Sequence, residues 1–233
     1  MLQKLILKRN FPSTLNMQQW LIISCGFSCL LLTARIIITG YDTYLFLTWN
    51  LFLAIVPYAI TQWLWTHTRI AESKLKLSAV LLLWLLFIPN SFYILTDLFH
   101  LDKFDSAPKW FDLLLIFSFA WNGLLLGIIS VRKAEVILEI VTGRSFSLFI
   151  VFVVMWLNAF GIYIGRYLRF NSWDIFMQPF SLFKEMFEVI FHPVRNRMEW
   201  GMIAVYAVFM TVLYITIKKL GENFSEAQKI KIK

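Results

Sequence analysis

Six runs of about twenty mostly apolar residues, each followed by a short polar link, constrain this chain more than any other feature. A helix rises about 1.5 Å per residue, so about 20 residues cross the roughly 30 Å hydrocarbon core of a bilayer. Inside that core every backbone amide must find a partner within its own segment, which a helix provides and an open strand does not. The runs fall at 20–38, 45–65, 77–96, 111–131, 146–165 and 201–217. They predict an all-α, polytopic transmembrane bundle of about six spans, one membrane domain over residues 1–233, with a polar tail at 218–233. Charged residues make up only 15% of the chain and mean hydropathy is +0.69, whereas a soluble domain carries about 25% charged residues.

The net charge of +8 does not signal nucleic acid, because the Lys and Arg residues flank the apolar runs and form no single basic patch. Lys4, Lys8 and Arg9 precede the first run as in a signal peptide. That run is too long for one and no small-x-small site follows, so it is read as an uncleaved span. With six spans both termini share a side, and the segments on that side hold 14 of the 22 Lys and Arg residues, which places the termini in the cytoplasm. Arg35, near the far end of the first run, is expected to snorkel to the headgroups. Cys25 and Cys29 share a helix face within the hydrocarbon, where neither a disulfide nor a metal site is expected.

Two prolines interrupt the apolar runs. Pro57 lies in the second span with Asn50, and Pro89 ends the continuous apolar stretch Leu77 to Ile88. Those 12 residues climb about 18 Å, so Pro89 and Asn90 fall in the outer part of the membrane and Asp97 emerges near its surface. Asn50, Asn122 and Asn158 sit inside spans, where interhelical hydrogen bonding is the expected role. The longest link holds Leu182, Phe183, Met186, Phe187, Ile190 and Phe191 at amphipathic helical spacing. Ser181 is the candidate N-cap and Pro193 the stop, giving a short interfacial helix over 181–192 in the last external loop.

This topology brings the ends of spans three and five to the same side. Asp97, His100, Asp102 and Asp105 then share a layer with Arg166, Arg169, Asn171 and Asp174, so opposite charges gather there. If both segments stay helical, Asp97 with His100 and Arg166 with Arg169 form two facing polar edges.

The runs PN-x-x-Y-x-x-TDL-x-HL at 89–101 and G-x-Y-x-GR-x-LR-x-NSWD at 161–174 resemble the bacterial membrane family known as domain of unknown function 1361. The resemblance covers most of the chain. It implies an integral protein of the bacterial cytoplasmic (inner) membrane and carries no activity with it.

Four functions fit these residues. In the first, Asp97 and Arg166 or Arg169 clamp helices together as a desolvated ion pair. In the second, Asn90, Tyr93, Asp97, His100, Arg166, Arg169, Asn171, Trp173 and Asp174 line a pocket for an anionic lipid headgroup or lipid-linked ligand. In the third, His100 oriented by Asp97 acts as acid or base on a lipid-linked substrate, or with metal assistance, although no recognised catalytic motif accompanies the pair. The fourth is a small transporter, which lacks a midspan Asp, Glu or Lys to carry a coupling proton. The sequence calls for no cofactor and no metal, its one expected partner is the bilayer with its lipids, and nothing in it specifies an oligomeric state.

Overall fold

The computed structural model describes residues 16–70, 72–101, 103, 106–170 and 174–230. Seven helices carry the described chain: α1 Met17–Thr39, α2 Phe46–Thr66, α3 Lys74–Tyr93, α4 Lys109–Thr142, α5 Arg144–Arg166, α6 Pro179–Phe191 and α7 Arg197–Ile230. Six of them are long and apolar enough to cross a membrane, and α6 is the short exception. The predicted spans are therefore present, with four differences at their ends.

Helix α1 starts earlier than its apolar run because Asn16 and Gln19 form a capping box, each side chain accepting from the other's backbone N–H. Helix α3 stops at Tyr93, and a tighter 3-10 segment, Ile94–His100, replaces its last turn. Helix α4 does not end at Val131: it runs to Thr142, and Gly143 alone, at φ +87°, separates it from α5. The basic stretch read as a link is thus helical, because Ala134, Ile137 and Leu138 continue the buried stripe of α4. Helix α7 likewise continues from the predicted end at 217 to Ile230.

Helix α4 is central, with 67% of its most apolar window buried, compared with 22% for α1 and α7. On one side it packs with α1, α2 and the 3-10 segment around Tyr44, Leu47, Leu51, Ile94, Leu115 and Phe119. On the other, α3, α5 and α7 close around Trp84, Ile88, Phe92, Met155, Ile162 and Met210.

Small residues set how closely these helices approach. Gly123 and Gly127 on α4, and Gly161 and Gly165 on α5, form two small-xxx-small faces that grip the end of α3 from both sides. A Cβ on Gly123 would stand 2.2 Å from Ile94 Cγ2, and one on Gly161 would stand 2.8 Å from the Pro89 ring. The Pro89–Ile94 segment is therefore wedged between two glycine faces.

Prolines bring hydroxyls with them. Thr61 Oγ1 and Ser130 Oγ both donate to the Pro57 carbonyl, at 3.1 and 2.9 Å, and Ser91 Oγ donates to Ala54 O at 2.9 Å. Trp84 Nε1 donates to the same Ser130 hydroxyl at 2.8 Å. Polar side chains thus bond α2 around Pro57 to its neighbours, as an apolar solvent requires.

Helix α6 begins with Pro179 in its first turn, so Ser181 lies inside the helix rather than at its cap. Its apolar stripe divides: Leu182 and Val189 are buried against the bundle, while Phe183, Phe187, Ile190 and Phe191 stay uncovered, as on a helix lying in the membrane interface. Trp200 Nε1 donates to Val189 O at 3.0 Å and fastens α6 to the start of α7.

Candidate functional site

At the end of the bundle where α3 and α5 leave the apolar layer, three polar side chains meet. The 3-10 segment turns every three residues, so Asp97 and His100 project from one face of it. Asp97 does not emerge toward the surface as its position in sequence suggests. It is 1% exposed, covered by α2 on one side and α5 on the other, and Asn50 Nδ2 donates to its Oδ2 at 2.7 Å.

Arg166 ends α5 and faces both groups: its Nη1 lies 3.9 Å from Asp97 Oδ1 and 3.0 Å from His100 Nε2, and its guanidinium lies 5.3 Å from the Phe99 ring centre. A guanidinium only donates, so His100 Nε2 must accept and carries no proton in this arrangement. His100 is held on its other sides as well, by the Phe46 ring at 4.9 Å between centres and, through its backbone carbonyl, by the Tyr44 hydroxyl at 3.1 Å. Asp97 thus contacts Asn50 and Arg166, and the described contacts do not make it the orienting partner of His100.

Arg169 does not extend the helical edge of Arg166. The helix ends first, and Arg169 sits at φ +60°, the one non-glycine residue with positive φ among the described residues. It is exposed, and none of the described contacts gives it a partner. With Tyr93, His100, Lys103, Gly165 and Arg166 it lines an open cleft of about 470 Å³.

Adjoining it is a second cavity, of about 260 Å³, between α2, α3, α5 and α6. Its wall is mostly apolar, with Leu53, Leu85, Leu86, Pro89, Ile164 and Phe170, and it is covered by Leu182 and Met186 of α6. Asn50 and Asn90 add amides to this wall, and Asn90 Nδ2 also donates to Phe87 O at 3.0 Å. Tyr93 and Gly165 border both spaces, so the two adjoin there. Lys103, which sequence reasoning left out of the site, lines the cleft; its place three residues after His100 was the available signal.

Asp174 is buried at the head of a single helical turn, Asp174–Met177. Asn171, Trp173, Asp102 and Asp105 lie outside the described residues. No three His, Cys, Asp or Glu side chains among the described residues converge to hold a metal.

Two further polar clusters were unforeseen. Arg35 does not snorkel: it is 1% exposed and forms a two-pronged pair with the equally buried Asp112, Nε to Oδ1 at 2.7 Å and Nη2 to Oδ2 at 3.1 Å. Thr43 and Ser106 accept two of its three remaining hydrogens at 2.7 and 3.0 Å, and the Tyr44 ring lies 4.4 Å from its guanidinium. This close, two-pronged pair is the clamp geometry, whereas Arg166 stands 3.9 Å from Asp97. At the opposite end of the bundle Glu135, 1% exposed, accepts from Arg132 at 2.5 Å, from Lys218 at 2.6 Å and from the Tyr214 hydroxyl. That cluster ties α4 to α7.

Of the three midspan asparagines, Asn50 bonds Asp97, and Asn122 Nδ2 reaches α1 at Ser24 O (3.1 Å) and Ser28 Oγ (2.9 Å). Asn158 departs from the expectation: its Nδ2 meets only Met155 Sδ, at 4.0 Å on its own helix, and its Oδ1 has no partner among the described residues.

Fold and polar clusters together define a multi-pass helical membrane protein. The chain belongs to the family described as protein of unknown function (DUF1361), whose model matches residues 49–215 and so includes both motif runs, the cleft and the cavity. Neither the curated proteins nor the solved structures contain a match to it.

Proposed function

We propose that this protein binds an anionic amphiphile, with its headgroup in the Arg166, Arg169 and Lys103 cleft and its tail in the adjoining apolar cavity. The observation that carries this reading is that a cationic cleft and an apolar cavity adjoin, with Tyr93 and Gly165 bordering both. Such a space matches a molecule that is negative at one end and hydrocarbon at the other, the chemistry of a lipid or lipid-linked headgroup. The bias of Lys and Arg toward the opposite end supports placing the cleft at the extracytoplasmic face of the bacterial inner membrane, with both termini in the cytoplasm.

The clamp reading becomes part of this one. Asn50, Asp97 and His100 hold Arg166 at the rim of the cleft, and Asp97 supplies the buried charge that keeps it there. Acid-base catalysis by His100 is less well supported, because Arg166 occupies the lone pair a general base would use.

The test is to extract the protein from native membranes in mild detergent and quantify bound lipid by mass spectrometry. The expected result is one phosphate- or carboxylate-bearing lipid enriched to about one per chain and lost in Arg169→Gln, which folds normally because Arg169 is exposed. No enriched anionic species, or one retained in Arg169→Gln, contradicts the reading.

A further inference from the structure

Where the cationic cleft meets the apolar cavity, one buried carboxylate touches a wall residue of each. Asp97 accepts from Asn50 Nδ2 at 2.7 Å through Oδ2, and its Oδ1 stands 3.9 Å from Arg166 Nη1. Asn50 lines the cavity and Arg166 lines the cleft. A carboxylate only accepts, so Asp97 fixes the Asn50 amide with its nitrogen inward and its oxygen turned away.

That oxygen is left over. Asn50 Oδ1 accepts no hydrogen bond among the described residues, and it is not one of the buried polar atoms sealed from solvent. The wall it belongs to is otherwise apolar, with Leu53, Leu85, Leu86 and Pro89. Water can satisfy the oxygen while the cavity is wet. A hydrocarbon tail expels that water and strands the acceptor unless the incoming molecule brings a donor of its own. Tyr93 borders both spaces as well, but a hydroxyl donates or accepts and so selects nothing, whereas an amide oxygen can only accept.

We infer, resting on the anionic-amphiphile reading of this site, that the ligand carries a hydrogen-bond donor, O–H or N–H, on the tail side of its anionic group, and that Asn50 selects for it. Arg166 meets the charge from the cleft, Asn50 Oδ1 meets the donor from the cavity wall, and Asp97 is the positioning residue between them.

The experiment measures binding of matched probes to the full chain in nanodiscs of zwitterionic lipid. One pair is oleoyl lysophosphatidic acid, which has a free hydroxyl between phosphate and tail, and its 2-deoxy analogue. The other is oleoylglycine, with an amide N–H between carboxylate and tail, and oleoylsarcosine, in which a methyl replaces that hydrogen. Inorganic phosphate and acetate serve as headgroup-only controls. In the wild type the donor-bearing member of at least one pair should bind about fivefold or more tighter, and the pair that discriminates tells a hydroxyl from an amide. Asn50→Thr keeps a hydroxyl to donate to Asp97 but removes the amide oxygen, so the members of that pair should come within about twofold of each other. Equal binding within both pairs in the wild type overturns this inference even if the variant does not fold, as does a preference that survives in Asn50→Thr. The anionic-amphiphile reading is then still supported if the probes outbind the controls. If no probe outbinds inorganic phosphate and acetate, both fail.

Discussion

Buried charges in this protein divide into those fully matched and those left partly open, and the division separates scaffold from site. Arg35 and Asp112 neutralise each other, with Thr43 and Ser106 taking two more guanidinium hydrogens. Removing one partner strands the other in a low-dielectric interior, at a cost of about 3–5 kcal/mol. Asp112→Ala should therefore lower thermal stability in detergent sharply, whereas the paired change Arg35→Met with Asp112→Leu should recover most of it. Equal loss in the single and double variants would contradict this account. At Asp97 the match is looser, a good Asn50 bond and a guanidinium at 3.9 Å. Asp97→Asn preserves the shape and an acceptor for Asn50, so stability should fall by about 1 kcal/mol or less while ligand retention drops because Arg166 loses its anchor. Asp97→Ala should lose both, and the contrast is read from melting temperature against bound lipid per chain.

Individual residues also mark how far the sequence could be read. Asp97, His100 and Arg166 could be found because topology alone puts their segments on one side and the 3-10 turn keeps Asp97 and His100 aligned. Arg35 was misread because snorkelling is the usual fate of an arginine near a span end. Its true partner, Asp112, stands 77 positions away, and no local pattern links the two.

Among the elements, helix contacts depend on glycines whose role appears only once neighbours are known. Gly123-x-x-x-Gly127 and Gly161-x-x-x-Gly165 are visible motifs, but that both grip α3 at Pro89–Ile94 follows from the packing. Gly123→Ala and Gly161→Ala should each destabilise by about 1–3 kcal/mol, since the new methyl has no space. Gly201→Ala, on a helix with nothing within 4 Å, should be neutral or stabilising by up to about 1 kcal/mol. Melting curves of the three variants check the contrast, and a uniform response would count against the glycine grip. Ser130 is the corresponding test between α2, α3 and α4. Ser130→Ala leaves the Trp84 indole N–H buried without an acceptor and removes a donor to Pro57 O, a loss of about 1–3 kcal/mol. The run ends of α4 and α7 were misjudged because charge appeared to stop the spans. In the structure Glu135 gathers Arg132, Tyr214 and Lys218, and those same charges hold the extended helices together.

The whole molecule is an asymmetric bundle, with a saturated charge cluster between α4 and α7 at one end and an open cationic cleft at the other. Its class was legible from hydropathy because only closed helices satisfy backbone amides in hydrocarbon. The cavity was not, since its walls come from four helices far apart in sequence. Phosphatase fusions after Lys103 should be active and those after Gly143 inactive, as the proposed orientation requires; the reverse pattern would turn the cleft toward the cytoplasm. The most direct measurement is an electron cryomicroscopy map of the protein in nanodiscs made with its native lipids. The account predicts rod-shaped density between α2, α3 and α5, with its head within hydrogen-bonding distance of Arg166 and Arg169. A well-resolved cleft and cavity holding protein density alone, or lipid lying across the mouth without entering, would contradict it.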